Sequence, residues 1–131
     1  TFLWRAAGSP EPTKTENPFT DVKESDFFYK AVLWAVEEGI TEGTSENTFS
    51  PADDCMRVHV VTFLYRAMGK PPVNTTTSPF SDVPADSWFA APVLWAVEND
   101  ITNGTSDTTF SPGKICNRAE VVTFLYRAYN K

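Results

Sequence analysis

The sequence has only two cysteines and one histidine, and no apolar run is long enough to cross a membrane. Two cysteines are too few for a disulfide framework, and their wide separation does not fit a zinc site. A membrane helix needs roughly 20 consecutive apolar residues. Basic residues are also scarce, since 11 Lys and Arg stand against 17 Asp and Glu, for a formal charge of −6. This acidic balance argues against duplex nucleic acid as the partner.

The apolar content is sufficient for a core. The chain has 131 residues, of which 41% are hydrophobic and 14% aromatic, which suits one ordinary domain. It opens with the run Thr1 to Ala6, typical of the interior of a helix, and no signal peptide is visible. We therefore expect a fragment of a longer protein, with any secretion signal outside this sequence.

An internal repeat organises the whole chain. Shifted by 61 residues, the sequence matches itself without a gap, with 31 identities over the 53 positions from Pro18 to Lys70. Val60–Ala67 is identical to the segment 121–128, and the opening residues obey the same shift. The expected organisation is two repeats, 18–70 and 79–131, joined by a linker at 71–78. Residues 1–17 are expected to be the end of a preceding repeat plus a linker.

Each repeat is predicted to form a helix, a loop and a second helix. In the first copy, apolar residues at helical spacing predict helices from about Phe27 to Glu38 and from about Arg57 to Met68. Gly, Thr, Ser, Asn and Pro are frequent between them, as in turns. A remnant helix is predicted at residues 2–7. A single helical pair cannot bury its apolar stripe, so the repeats must pack on each other in an all-α fold.

The order of short motifs resembles the S-layer homology repeat. These motifs are Phe-x-Asp-Val, a Trp-containing helix, Ile-Thr-x-Gly, Thr-Phe-x-Pro and, in the second copy, Arg-Ala-Glu at the second helix. The resemblance implies tandem, mostly helical repeats packed as a pseudo-threefold bundle. It implies grooves that bind secondary cell-wall polysaccharides, often pyruvylated. It also implies an extracellular place on the bacterial cell wall, no catalysis and no cofactor.

The family's Thr-Arg-Ala-Glu motif, whose arginine contributes to the groove, identifies the candidate helix starts. Asn117–Glu120 matches it with Asn in place of Thr, whereas Met56–His59 keeps only the arginine. The frequent Phe-Arg-Pro of the family is Phe-Ser-Pro at 49–51 and 110–112, so a common basic group is absent from both copies. The resemblance therefore implies that the better ligand site lies in the second copy.

Seven side chains are candidates for ligand contact: Arg118, Glu120, Trp88, Asp82, Arg57, Phe27 and Asp21. An arginine at a helix start opposes the helix dipole, so its recurrence needs a reason. One reason is an anionic ligand held by the guanidinium and the helix N–H groups. The alternative is an ion pair with one of the two aspartates.

The other candidates also have structural alternatives. Glu120 can complete a capping box with Asn117. The equivalent aromatics Phe27 and Trp88 can stack on a sugar or pack into the core. The aspartates can contact ligand or hold a turn, and no second acid marks a hydrolytic pair.

Two functions are compatible with this sequence. The first is a wall anchor that binds an anionic polysaccharide, and the second is a structural or protein-interaction repeat without a glycan site. Two repeats do not fill a threefold arrangement, so self-association or an upstream repeat is expected. His59 has no Ser or Cys partner motif and is expected to be an exposed helix residue rather than a base. Cys55 and Cys116 are either small buried hydrophobes before the helices or a disulfide between the copies.

Overall fold

The structure is a computed structural model, and it describes residues 1–13, 16–74 and 77–130. These described residues form five helices, which are α1 (Phe2–Ala6), α2 (Tyr29–Glu37), α3 (Arg57–Ala67), α4 (Ala90–Glu98) and α5 (Arg118–Tyr129). Over the described residues, the only extended pairing is an isolated antiparallel bridge between Met56 and Ile115. The predicted all-α class is confirmed. The second helix of each repeat begins where its sequence predicts, and α2 begins two residues later than expected.

The chain divides into two compact units, Thr1–Asp53 (unit 1) and Asp54–Lys131 (unit 2). The division falls between the two helices of the first repeat. In unit 1, α1 packs against α2. The core of this unit is formed by buried Phe19, Val22 and Val32, with Phe28, Tyr29, Val36 and Phe49 packed against them. The remnant helix α1 is half-buried on its apolar side, and the Trp4 indole N–H donates to the Pro10 carbonyl at 2.8 Å.

In unit 2, α3 packs against both α4 and α5. The Tyr65 and Trp95 rings meet across α3 and α4 with their centroids 5.6 Å apart. The tryptophans of the two equivalent helices are both buried, Trp34 of α2 in unit 1 and Trp95 of α4 in unit 2. Pro92 is the third residue of α4, in the first turn, where its missing N–H costs no helical hydrogen bond.

The loop inside each repeat closes in the same way. Gly43 and Gly104 have φ of +84° and +87°, and a Cβ on either would lie 2.7 Å from a phenylalanine ring and from a threonine carbonyl. Glycine is therefore required at both positions, by backbone conformation and by space. The backbone takes a positive φ two residues after the first helix of each repeat, at Gly39 (74°) and at Asp100 (58°). Aspartate tolerates this left-handed conformation better than most residues that carry a side chain.

Candidate functional site

The start of α5 is built as the sequence predicts. Asn117 has extended backbone, and its side-chain oxygen accepts a hydrogen bond from the Glu120 N–H at 2.8 Å. The Glu120 carboxylate accepts from the Asn117 N–H at 3.3 Å, which completes the capping box. Arg118 is the first residue of the helix, and it is exposed. An arginine on the surface at the positive end of a helix is suited to an anionic group.

Arg57 occupies the equivalent place at the start of α3, but it is only 4% exposed. Its Nε donates to the Phe110 carbonyl at 2.9 Å, and its Nη2 donates to the Thr102 hydroxyl at 3.2 Å. Its Nη1 donates to Glu120 Oε2 at 3.2 Å, which forms an ion pair. The guanidinium also lies over the Phe110 and Phe124 rings, 4.7 and 5.6 Å from their centroids. The guanidinium is therefore fully engaged by its own chain.

The two aspartates hold the loops inside the repeats. The Asp82 carboxylate accepts from the N–H groups of Phe110 and Ser111 at 2.9 and 2.8 Å. Asp21 does the same with Phe49 and Ser50 at the same distances. The Phe49 N–H is the main cause that lowers the pKa of the Asp21 carboxyl, since a hydrogen bond to the charged form favours ionisation. Each carboxylate thus fixes a loop around its own phenylalanine.

The aromatic residues that precede α2 and α4 lie on the surface. Trp88 is 63% exposed and Phe27 is 77% exposed. Each is held edge-to-face by the next residue, Trp88 by Phe89 with centroids 5.4 Å apart and Phe27 by Phe28 at 5.1 Å. An exposed aromatic that is fixed in this way has ring surface available to stack on a sugar.

Unit 2 brings the predicted candidates into two environments. Arg57, Glu120 and Asp82 meet around the second loop, while Arg118 and Trp88 are exposed. Sequence reasoning missed two partners of Arg57, the Phe110 carbonyl and the Thr102 hydroxyl. No signal in the sequence marks them, because both residue types also occur at the same positions of the first repeat, as ordinary loop residues.

The lone histidine and the metal-ligating residue types are the remaining candidate groups. No group of three or more His, Cys, Asp and Glu side chains among them is placed to hold a metal ion. His59, expected on the surface, is half-buried and stacks on Phe63 with ring centroids 6.4 Å apart. Within the described ranges, no helix has the length and apolar character that a membrane crossing requires.

Comparison with known proteins gives one consistent result. The S-layer homology domain family matches residues 18–55 and 79–122. The surface-layer 125 kDa protein of Lysinibacillus sphaericus is 30% identical over 107 residues, which is 82% of this chain and 9% of that protein. The cell surface protein of Thermoanaerobacter kivui is 27% identical over 115 residues, 85% of this chain and 15% of that protein.

An endoglucanase of Bacillus sp. (strain KSM-635) is 27% identical over 124 residues, 95% of this chain and 13% of the enzyme. The chain thus spans a small part of each of these relatives, and the enzyme's activity is not carried over with the match. Proteins with these repeats lie outside the cell and attach to its wall. Two matched segments cover more than half of the chain, which therefore belongs to the S-layer homology family and is an extracellular, non-catalytic anchoring module of the cell surface.

Proposed function

We propose that this chain holds a larger protein on the cell wall by binding an anionic polysaccharide, with pyruvylated secondary cell-wall polymers as the ligand class. The observation that carries the proposal is the pair of exposed, braced aromatics. Trp88 and Phe27 occupy the same position of the repeat, and both are fixed by an edge-to-face neighbour. Because these rings are exposed, they bury little apolar surface in the core. A sugar ring can stack on them.

Charge supports the second repeat as the better site. A domain of net charge −6 that binds an acidic polymer must concentrate positive potential locally. Arg118 does this at a capped helix start, and the same repeat presents the larger aromatic, Trp88. Glu120, Asp82 and Arg57 would support this site from within, and Phe27 and Asp21 would form the weaker site of the first repeat.

The test is co-sedimentation with purified cell walls, with and without their secondary polymer. A charged hydrogen bond contributes roughly 1.5–3 kcal/mol, so Arg118→Ala should weaken binding about 10- to 150-fold. Trp88→Ala should also weaken binding. Lys23→Ala, which removes one exposed positive charge from unit 1, is the matched control and should bind like the parent. If Arg118→Ala binds like the parent, or loses binding only because it unfolds, this site is wrong.

A second candidate, a protein-interaction or structural repeat, is favoured by one surface of α5. Val122, Tyr126 and Tyr129 are exposed and lie at helical spacing on this helix. We propose that another repeat covers this stripe in a pseudo-threefold bundle, through self-association or an upstream repeat, with 18–70 and 79–131 as the repeating units. A monomer in sedimentation velocity would contradict the self-association. Full binding to cell walls from which the secondary polymer has been removed would contradict the glycan site.

A further inference from the structure

Two segments of unit 2 run antiparallel immediately before α3 and α5. The Cys116 N–H donates to the Cys55 carbonyl at 2.8 Å, and the Arg57 N–H donates to the Lys114 carbonyl at 2.9 Å. The bridge between Met56 and Ile115 lies between these two hydrogen bonds. This register places Cys55 directly opposite Cys116, at a hydrogen-bonded position of the pair.

The alternation of side chains places both thiols on the same face. Neighbouring residues of an extended segment point to opposite faces. Met56 and Ile115 are exposed, whereas Cys116 is buried and Cys55 is half-buried. The two cysteines therefore share the inner face of the short ribbon.

The spacing suits a covalent bond. Directly opposed residues at a hydrogen-bonded position have Cα atoms about 5.5 Å apart. Disulfides join Cα atoms that are about 4.4–6.8 Å apart. Both thiols are free in the structure. The Cβ atoms of directly opposed residues are about 4.5–5.5 Å apart and must approach to about 3.5–4.5 Å for the bond to form, which is a local adjustment of the ribbon.

We propose that Cys55 and Cys116 form an intramolecular disulfide that ties the start of α3 to the start of α5. The family places the chain outside the cell, where disulfides persist. The proposal needs this location and is independent of which polymer the domain binds. The bond would close a segment of about 60 residues that contains α3, α4 and the second loop.

The oxidant that balances the reaction is a small-molecule disulfide, such as oxidised glutathione. One cysteine thiolate attacks it, which forms a mixed disulfide and releases one small thiol. The second cysteine thiolate then attacks the mixed disulfide, which forms the Cys55–Cys116 bond and releases the second small thiol. The two cysteines together lose two electrons and two protons, and the small disulfide is reduced to two thiols.

The surroundings of the thiols determine the rate. Burial raises the pKa of Cys55, and burial is also the main cause that raises the pKa of Cys116 to about 11. Because the thiolate is the nucleophile, oxidation should be slow near neutral pH and faster as the pH rises. Cys55 is the more exposed of the two, and we expect it to form the mixed disulfide first.

The test begins with the folded, reduced chain, without denaturant. After incubation with oxidised glutathione and quenching with iodoacetamide, intact mass should show the loss of two hydrogens and no alkylation. Peptide mapping should join the Cys55 and Cys116 peptides, and a non-reducing gel should show a monomer. Cys55→Ser and Cys116→Ser are the matched controls, and neither should form the linked peptide. Because the bond constrains the unfolded chain, the oxidised form should melt about 10 °C above the reduced form.

Three results would overturn the proposal. The first is two alkylated cysteines after oxidation, which would mean that the thiols do not reach each other. The second is a covalent dimer, which would mean that they pair between molecules. The third is a linked peptide that forms only after the chain has been unfolded, which would mean that the folded register keeps the thiols apart.

Discussion

Helices α3 and α5 share eight consecutive identical residues, and both begin at an arginine, yet their surroundings differ. Val61 of α3 is fully buried, whereas its equivalent Val122 on α5 is 48% exposed. Arg57 is buried among the second loop and α5, whereas Arg118 is exposed. Identical residues therefore produce the same helix, but the elements packed against that helix decide whether a side chain is part of the interior or of a surface.

The two loops extend this comparison. Asp21 holds the Phe49 and Ser50 N–H groups, and Asp82 holds those of Phe110 and Ser111 with the same geometry. Phe110 is fully buried under the Arg57 guanidinium, while Phe49 is half-buried within unit 1. The loop conformation is thus set inside each repeat, and the arginine is an additional clamp on the second loop.

The largest expected effect is the loss of that clamp. Arg57→Ala would leave the Phe110 carbonyl, the Thr102 hydroxyl and Glu120 without their shared donor. Removal of one partner from a buried ion pair is strongly destabilising, so we expect a loss of about 3 kcal/mol in the free energy of unfolding. Arg118→Ala should cost less than about 0.5 kcal/mol, because substitutions of exposed residues are usually mild. Urea unfolding of both variants measures the difference.

A matched control separates geometry from charge. Arg57→Lys keeps the positive charge, but a single ammonium cannot reproduce the planar fork that reaches three acceptors. Its stability should lie between those of the parent and Arg57→Ala. Equal stability of Arg57→Ala and Arg118→Ala would mean that the two helix starts are energetically alike and that the burial of Arg57 has no consequence.

The helices could be predicted from the sequence because they depend on local patterns, and the environment of Arg57 could not. The 3.6-residue periodicity predicts α3 within one residue at its end, and Asn117 with Glu120 predicts the capping box of α5. By contrast, Arg57 contacts residues 45 to 63 positions away. Which loop lies beside a helix start is decided by packing, and the repeat pattern contains no signal for it.

A smaller effect is expected from the caps of these two helices. Asn117 caps α5 with its side chain, whereas Met56 makes no side-chain cap on α3. Loss of an N-cap costs about 1 kcal/mol, so Asn117→Ala should destabilise the domain by about that amount. Met56 has the extended backbone of an N-cap and is exposed.

The reciprocal change at the start of α3 should have little effect. The N–H groups of Arg57, Val58 and His59 already donate to the carbonyls of Lys114, Pro112 and Met56. Met56→Asn is therefore expected to change the free energy of unfolding by less than about 0.5 kcal/mol, because the first-turn donors that an N-cap side chain would satisfy are already taken. Thermal melts of Asn117→Ala, Met56→Asn and the double variant are the measurement. If Met56→Asn stabilises the chain as much as Asn117→Ala destabilises it, the Lys114 and Pro112 carbonyls do not replace a side-chain cap at the start of α3.

The smallest effect concerns the first loop and its dependence on pH. The pKa of Asp21 is lowered from its ordinary value of 3.8 mainly because the Phe49 N–H donates to the carboxylate. A depressed folded-state pKa means that the unfolded chain binds the proton more tightly. The stability that Asp21 contributes is therefore present above about pH 4 and is lost as the pH falls through the folded-state pKa. An NMR titration of the Asp21 side-chain carboxyl should have its midpoint below 3.8.

In Asp21→Asn the acid-dependent part of this contribution should disappear. The free energies of unfolding of parent and variant, measured in urea, should therefore differ more at about pH 5 than at about pH 2. Asp82→Asn is the matched substitution in the second loop, where the Arg57 clamp remains on the Phe110 carbonyl. The Phe49 amide should consequently exchange its hydrogen faster in Asp21→Asn than the Phe110 amide does in Asp82→Asn, because only the second loop keeps another tether. Equal exchange in the two variants would mean that the carboxylate alone holds each loop, and that Arg57 does not distinguish them.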